Sequence, residues 1–372
     1  MKYLALAVII ACVMFNFIII NKFDKNKISQ PVKMKAALTP PVQELPTIAG
    51  DTTLLVRTNA APLQKTNVHR VKSPSFYRGI YLHNYSARVP RVLKRFVRQA
   101  RKYGVNAFVL DLQDAVYFRT HMLPAANVQY CITNGIYPIA RIVVFPYGLK
   151  RYPVPGGLLD QRIALAVRAA KAGFPEVQFD YIRFEDSNRL RQVPLHKRFA
   201  LIEGFLGRAK RVLARYGVKV SADIFGRVTL NRRDPIGQRL EGLDGKVDIL
   251  CPMVYPSHFS WSRYMMATPY YTVKKTSDIS RKRLKKSGVV MYIQGFIMRV
   301  HYSGLSLPNY IAHQIKASHD AGIRGYIVWN AAQRYRPTYK GMAMYYSGKR
   351  LTGLPEPKRL AGKRVSWRIE MD

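Results

Sequence analysis

Three aspartates of this chain lie inside apolar runs, where a carboxylate is unexpected. Asp180 lies within the run VQFDYIRF at residues 177–184, Asp111 near the end of an earlier run, and Asp223 within a later one. Burying an unpaired carboxylate is costly, so such positions usually hold paired or chemically active groups. Two carboxyl groups that flank one bond can hydrolyse a glycoside, one as the acid and the other as base or nucleophile. The three aspartates are therefore the predicted catalytic residues.

Strand geometry predicts where two of these carboxylates point. Alternate residues of a strand share a face, so Gln178 lies on the face of Asp180, and Ser221 on that of Asp223. Adjacent strands are about 4.8 Å apart, which would bring two inward carboxylates near the roughly 5 Å separation of retaining glycosidases. A separation above about 7 Å would instead favour inversion through a water molecule.

A basic residue is predicted to lie beside these carboxylates. Arg141, in the run at 135–145, is expected to project inward next to Asp180. Its charge would keep Asp180 ionised, as a base or nucleophile requires, which leaves Asp223 as the predicted acid. Inward Arg and Asp side chains can also form a network that only fills a barrel, and this alternative stays open.

The elements that must position these residues are apolar runs that alternate with helical stretches. The runs are continuous, as parallel strands covered on both sides require. Amphipathic patterns predict helices at residues 91–103 and 197–216. Eight strands over about 270 residues fit an α/β fold of the (β/α)8 TIM-barrel type, and no Gly-rich phosphate loop follows any strand. The runs are at residues 78–85, 106–112, 135–145, 177–184, 219–226, 247–255, 289–296 and 325–330.

Further polar and aromatic residues are expected at the carboxyl ends of the strands, where barrel enzymes bind substrate. Aromatic rings can stack on sugars and amides can bind hydroxyls, although each of these residues could serve packing instead. No His or Cys stands at ligand spacing from His258, so neither a metal nor a cofactor is expected. The predicted substrate-binding residues are Arg141, Gln178, Tyr255, His258, Gln294, Trp329 and Asn330.

An ordered series of short motifs resembles a bacterial family of glycoside-hydrolase-like domains. The motifs are RGIY at 78–81, NAFVLD at 106–111, GIYPIARIVVF at 135–145, QFDYIRF at 178–184, SADIFG at 221–226, IGQ at 236–238, PMVYPSH at 252–258 and VWN at 328–330. The resemblance covers residues 76–335 and implies a TIM barrel that acts on a polysaccharide. Two departures bear on activity. Where the family pattern continues Arg-Phe-Pro after the Asp180 strand, this chain continues to Glu185 and Asp186. The segment from Pro146 to Gln161 is short and lacks Trp.

The amino-terminal residues predict a membrane segment. Residues 3–20 form an apolar run broken only by Asn16, so residues 1–21 are expected to be an uncleaved signal anchor. A cleaved signal peptide and a lipoprotein signal at Cys12 are alternatives. The expected location is the bacterial inner membrane, with the barrel facing the periplasm or the exterior, or else secretion. The three lysines that follow the run outnumber Lys2 and weigh against the outward orientation.

The composition of the chain after residue 21 predicts three further segments. Residues 22–75 are a predicted Pro-containing linker, 76–346 the barrel and 347–372 a basic tail. The net charge of +40 would attract nucleic acid, anionic lipid or acidic polysaccharide, or belongs to a solvated surface. Without a recognised nucleic-acid motif, nucleic acid is not the expected partner. The three cysteines give no disulfide framework.

Two functional hypotheses follow. In the first, the chain is a membrane-anchored glycoside hydrolase that cleaves an envelope or extracellular polysaccharide, with acidic polymers as candidates. In the second, the barrel binds a glycan or an anionic polymer of the cell envelope without cutting it, which the short segment after Phe145 favours. An esterase or deacetylase is disfavoured because no Gly-x-Ser-x-Gly motif occurs.

Overall fold

The structure, a computed structural model, describes residues 71–348 and Leu351. The predicted anchor at 1–21, nearly all of the linker at 22–75 and most of the basic tail at 347–372 lie outside the described residues. Within the described ranges, no helix is both long and apolar enough to cross a membrane.

In the described part of the chain, eight parallel strand positions close into one barrel. Each strand pairs with the next along the chain, and the eighth pairs with the first. The (β/α)8 barrel and its eight predicted strands are therefore confirmed. The strands are β1 Tyr77–Leu82, β2 Ala107–Asp111, β3 Tyr137–Val143, β4 Glu176–Asp180, β5 Lys219–Phe225, β6 Ile249–Val254, β7 in two segments at Gly288–Val289 and Met291–Gln294, and β8 Gly325–Trp329.

Helices connect the strands and surround the barrel. The two predicted helices are confirmed with boundaries shifted by one or two residues, as α2 and α5 below. Pro90 begins α2, a position where its missing N–H costs nothing. The helices are α1 Asn84–Arg88, α2 Pro90–Lys102, α3 Ala125–Thr133, α4 Leu158–Lys171, α5 Leu195–Ala214, α6 Leu240–Leu243, α7 Arg263–Ala267, α8 Pro269–Arg283, α9 Leu307–Asp320 and α10 Arg336–Tyr346.

Two separate apolar clusters explain why the strand sequences are continuous apolar runs. One cluster lies between strands and helices and includes Ile80, Phe108 and Val177. The other fills the barrel interior and includes Val109 and Ile327. Since both faces of each strand are covered, alternation of apolar and polar residues is largely lost, and inward polar residues become conspicuous.

Most predicted strands run past their observed ends, and the two largest excesses, of three and four residues, are in β1 and β4, at the end of the barrel that holds the aspartates. β1 stops at Leu82 because α1 begins at Asn84, with the His83 side chain accepting a hydrogen bond from Ser86 N. β4 stops at Asp180 because Tyr181 has a left-handed backbone with φ of 52°. Asp180 is therefore the last residue of its strand.

Gly325 lies where β8 pairs with β1 and closes the barrel, and it tolerates no larger side chain. Its φ is +126°, and an added Cβ would collide with the Tyr77 backbone. We expect Gly325→Ala to lower the free energy of unfolding by about 3 kcal/mol or more, because the strain and the collision add. Urea denaturation of the full chain measures this loss.

Gly135 supplies the matched control. Its φ is +73°, but an added Cβ would meet nothing within 4 Å. Gly135→Ala should therefore show only the backbone cost of about 1–2 kcal/mol. Equal losses in the two variants would contradict the close approach at the β1–β8 seam.

Candidate active site

The three predicted catalytic aspartates gather around Arg141 at the carboxyl end of the barrel. Arg141 Nη1 lies 2.5 Å from Asp111 Oδ1, and Nη2 lies 2.5 Å from Asp180 Oδ2. Arg141 Nε lies 3.1 Å from the same oxygen of Asp180 and 4.0 Å from Asp223 Oδ2. The predicted contact between Arg141 and Asp180 is thus present, and Arg141 links all three carboxyl groups.

Strand register explains this convergence. Asp111 on β2 is the direct neighbour of Arg141 on β3, and Arg141 is the neighbour of Gln178 on β4. Gln178 in turn pairs with Ser221 on β5. Two residues further along β4 and β5, Asp180 and Asp223 therefore project inward at the same height.

The distances to Arg141 limit the separation of the two uppermost carboxyl groups. Its Nε lies 3.1 Å from Asp180 Oδ2 and 4.0 Å from Asp223 Oδ2, so these oxygens are at most about 7 Å apart. That limit includes the roughly 5 Å separation of retaining glycosidases and only the shortest separations of inverting ones.

Hydrogen bonding differs between these two carboxyl groups. Asp180 Oδ2 accepts two hydrogen bonds from Arg141, and its Oδ1 accepts one from Tyr181 N at 2.5 Å, an arrangement suited to an anion. Asp223 Oδ1 is buried without a hydrogen-bond partner among the described residues. Burial, reinforced by the charge of Asp180, raises the pKa of Asp223 well above its usual value. Asp223 therefore retains its proton to a higher pH than an exposed aspartate would.

Asp111 is also tied to the protein through both of its carboxyl oxygens. It accepts hydrogen bonds from Arg141 and from the Tyr81 hydroxyl, and burial raises its pKa although the charge of Arg141 opposes this. Both of its oxygens are thus engaged, which suits a residue that anchors Arg141. Sequence reasoning missed Tyr81, because a tyrosine on a strand is equally typical of a core.

Three of the predicted substrate-binding residues lie next to this cluster. The Trp329 ring packs 4.1 Å from the Tyr81 ring and 5.4 Å from the Arg141 guanidinium. Tyr255 is buried, and its pKa is raised by burial and by the charges of Asp223 and Asp180. His258 is exposed at the rim, with its ring perpendicular to that of Tyr255 at 5.2 Å.

The three predicted amide residues are engaged with other protein groups. Gln178 lies below the aspartates, where its Oε1 accepts a hydrogen bond from Tyr292 at 2.6 Å. Gln294 accepts a hydrogen bond from Ser257 N and donates two to backbone carbonyls of the following loop. Asn330 donates to Gly295 O at 2.7 Å. In this arrangement the amides of Gln294 and Asn330 hold loops in place, and a role in substrate binding stays a prediction.

Backbone strain is concentrated at the same end of the barrel. Among residues 71–348, all non-glycine residues with a positive φ lie in loops that follow the carboxyl ends of strands. Such conformations cost on the order of 1–3 kcal/mol each and cluster at functional sites. No side-chain pattern encodes them, so sequence reasoning missed them. They are Phe118, Tyr147, Tyr181, Arg299 and Gln333.

One more buried carboxyl group lies in the interior, towards the other end of the barrel. Glu176, four residues before Asp180 on β4, accepts a hydrogen bond from the Tyr77 hydroxyl at 2.9 Å, and burial raises its pKa. Sequence reasoning did not identify it. The described His, Cys, Asp and Glu side chains form no group of three or more that could hold a metal ion.

Part of the barrel that carries this cluster matches a known protein family. A family model described as "Putative glycosyl hydrolase domain" matches residues 157–335, a range that includes Asp180, Asp223, Tyr255 and Trp329. The resemblance predicted from the short motifs is confirmed for this part of the barrel. The chain matches no curated protein.

Solved structures share the fold at low sequence identity. The spore cortex-lytic enzyme SleL of Bacillus cereus is 12% identical with a TM-score of 0.50, over 74% of this chain and 75% of that one. A chitinase from Chromobacterium violaceum is 13% identical with a TM-score of 0.51, over 73% of this chain and 99% of the chitinase. The endo-1,4-beta-mannanase of Rhizomucor miehei is 10% identical with a TM-score of 0.53, over 74% and 95%. These similarities establish a common TIM-barrel fold.

Proposed function

Taking residues 157–335 as part of a glycosyl hydrolase family domain, we propose that the chain hydrolyses an envelope or extracellular polysaccharide with Asp180 and Asp223. One observation carries this proposal. The two carboxyl groups lie at equal height on adjacent strands, within about 7 Å. Asp180 accepts three hydrogen bonds, as suits an anion, while burial raises the pKa of Asp223. Such a pair is what acid–base cleavage of a glycosidic bond requires.

In the proposed reaction, Asp223 donates its proton to the glycosidic oxygen as the bond from that oxygen to the anomeric carbon breaks. Asp180 stabilises the positive charge that develops on the sugar. It then either forms a covalent bond to the anomeric carbon, which water breaks as Asp223 takes the proton of that water, or itself takes a proton from a water molecule that attacks the anomeric carbon. In both cases the water oxygen ends on the new reducing end. In the first route Asp223 is thereby reprotonated; in the second, Asp180 releases its proton to solvent and Asp223 takes one up from solvent.

The remaining polar residues of the cluster have positioning roles in this proposal. Arg141 holds Asp180 through two hydrogen bonds, while Asp111 and Tyr81 fix Arg141 from the other side. Trp329 and Tyr255 line the space beside the carboxyl pair, where a sugar ring would stack and hydrogen-bond.

The cellular location is also part of the proposal. The apolar run at residues 3–20 suggests an envelope protein, anchored with its barrel in the periplasm or outside the cell, or else secreted. An envelope polysaccharide would be the polymer accessible to it there.

A panel of neutral and acidic envelope polysaccharides tests the proposed function. The purified full chain should release new reducing ends from at least one polymer, detected by mass spectrometry, and Asp180→Asn should release none. Failure to cleave any polymer of the panel, with the protein shown to be folded, would contradict the assignment.

One observation favours the second hypothesis, a glycan-binding barrel without turnover. Asp111, Asp180 and Asp223 are only 4%, 5% and 2% exposed, and both oxygens of Asp180 already accept hydrogen bonds from the protein. The same panel separates the two functions, since a binding protein would be retained on a polymer and leave its chain length unchanged.

A further inference from the structure

We infer that three aromatic residues beside Asp180 form a subsite for a sugar ring that carries an anionic substituent. We call Phe118, Tyr147 and Tyr181 the aromatic triad. The inference rests on the proposed function, because it names the class of sugar which the same site would take.

The aromatic triad is one cluster built from three different loops. Phe118 follows β2, Tyr147 follows β3 and Tyr181 follows β4. The ring centroids of Phe118 and Tyr147 are 5.4 Å apart, and those of Tyr147 and Tyr181 6.3 Å apart, with nearly perpendicular rings in both pairs. Tyr181 N donates to Asp180 Oδ1, so the triad adjoins the proposed catalytic carboxylate.

Backbone conformation sets these three residues apart from ordinary packing aromatics. Their φ angles are 55°, 62° and 52°, a left-handed region that bulky side chains rarely adopt. Three adjacent loops each bear a cost on the order of 1–3 kcal/mol, and each brings its ring to the same place. Core packing does not explain this, since Tyr147 is 42% exposed and the other two rings are only partly buried. Partly exposed aromatic rings beside a carboxylate are suited to stack on a ligand.

Two cations flank the triad. The Lys150 ammonium lies 5.5 Å from the centre of the Tyr147 ring, and the Arg183 guanidinium 5.8 Å from that of Tyr181. In the part of the chain that the structure describes, neither side chain forms a salt bridge with a carboxylate, and Arg183 Nε is buried without a hydrogen-bond partner.

The acidic side chain with the largest electrostatic effect on Arg183 is bonded to another arginine. Both oxygens of Asp186 are held at 2.9 Å by Arg227, which also binds Asp234. Burial lowers the pKa of Arg183, which reflects the cost of a cation with no hydrogen-bonded counter-ion. A ligand anion at this position would offset that cost. The aromatic rings alone would accept a neutral sugar, and the two cations make the subsite prefer an acidic one.

Binding measurements on the full chain test this subsite. Asp223→Asn serves as the background, so that bound oligosaccharides are not cleaved. Titration calorimetry would compare oligosaccharides of equal length that are neutral, carboxylated or sulfated. We expect an acidic series to bind more tightly than the neutral one, and the comparison of carboxylated with sulfated probes identifies the anion.

Single substitutions separate stacking from charge. In that background, Tyr147→Ala should weaken binding of the preferred oligosaccharide about tenfold, and Tyr147→Phe should restore it. Lys150→Met and Arg183→Met should each weaken the acidic probe about tenfold and leave any neutral binding unchanged. Tyr216→Ala and Lys285→Met are the matched controls, because both residues are exposed and lie in loops that precede strands, at the opposite end of the barrel.

The outcomes distinguish this inference from the proposed function. Loss of binding in the triad and cation variants supports the subsite even where the wild-type chain cleaves nothing. The inference is overturned if no oligosaccharide binds, if neutral probes bind as tightly as acidic ones, or if Lys150→Met and Arg183→Met weaken binding no more than Lys285→Met. Cleavage that persists with an unchanged KM in Tyr147→Ala would leave the proposed function standing and remove the subsite.

Discussion

Asp223→Asn is expected to lower kcat about 10³-fold on the polysaccharide that the chain cleaves, because an amide cannot protonate the glycosidic oxygen. Proton donation matters less when the leaving group is already a weak base. The loss should therefore be much smaller on an aryl glycoside of the same sugar, such as a nitrophenyl derivative. Steady-state kinetics on both substrates measure the difference.

Asp278→Asn is the matched control, since Asp278 pairs with Lys274 on the same helix and its side chain is 32% exposed. We expect wild-type kcat in this variant. A decrease of equal size on both substrates for Asp223→Asn would assign Asp223 a role other than the acid, and near-normal activity would remove it from the mechanism.

The pH dependence follows from the same residue. Burial and the charge of Asp180 raise the pKa of Asp223, so its proton is kept to a higher pH than in an exposed aspartate and is lost as pH rises through that raised value. Activity should decline there, and Asp223→Asn should no longer show this decline at alkaline pH.

The same raised pKa affects stability. Protonated Asp223 contributes to the free energy of unfolding fully below the unfolded pKa of about 3.9, and this contribution is lost as pH rises through the folded pKa.

Arg141→Met is expected to lower the free energy of unfolding at neutral pH by about 3–5 kcal/mol. The substitution keeps an unbranched side chain and removes the charge, which leaves Asp111 and Asp180 buried without their cation. Urea denaturation at pH 7 measures the loss. Arg208→Met is the control, because the pair that Arg208 makes with Asp160 is exposed and should contribute about 1 kcal/mol or less.

The deficit of Arg141→Met should shrink as the solution is acidified. Burial already raises the pKa of Asp111, and the substitution removes the main opposing charge. A carboxyl group whose folded pKa is raised destabilises the fold when ionised and regains stability as pH falls and it takes up a proton. A deficit that is constant with pH, or one as small as that of Arg208→Met, would contradict the role of Arg141 as counter-ion.

The barrel fold and the inward direction of Asp180 and Asp223 could be predicted because both depend on local patterns in the sequence. Strands covered on both faces appear as apolar runs, and the two-residue period places Gln178 with Asp180 and Ser221 with Asp223. The observed register of β4 with β5 pairs Gln178 with Ser221, which puts the two aspartates at the same height. The contact between Arg141 and Asp180 needed only the further assumption that Arg141 points inward.

Other features depend on three-dimensional contacts that no local pattern encodes. The left-handed turn at Tyr181, which ends β4, is typical of glycine, so an aromatic residue there gave no signal. Gln294 and Asn330 do lie at strand ends, but only the folded loops reveal that their amides bond to backbone groups. The Tyr81 contact with Asp111 joins residues of two strands and required the register of β1.

The most direct test of the proposed carboxyl pair is hydrolysis in water labelled with heavy oxygen, followed by mass spectrometry of the products. With the wild-type chain, each new reducing end should carry one labelled oxygen, and the labelled products should be absent with Asp180→Asn and strongly reduced with Asp223→Asn. Labelled products that form at wild-type rates in both variants would contradict the assignment of Asp180 and Asp223 as the residues that cleave the glycosidic bond.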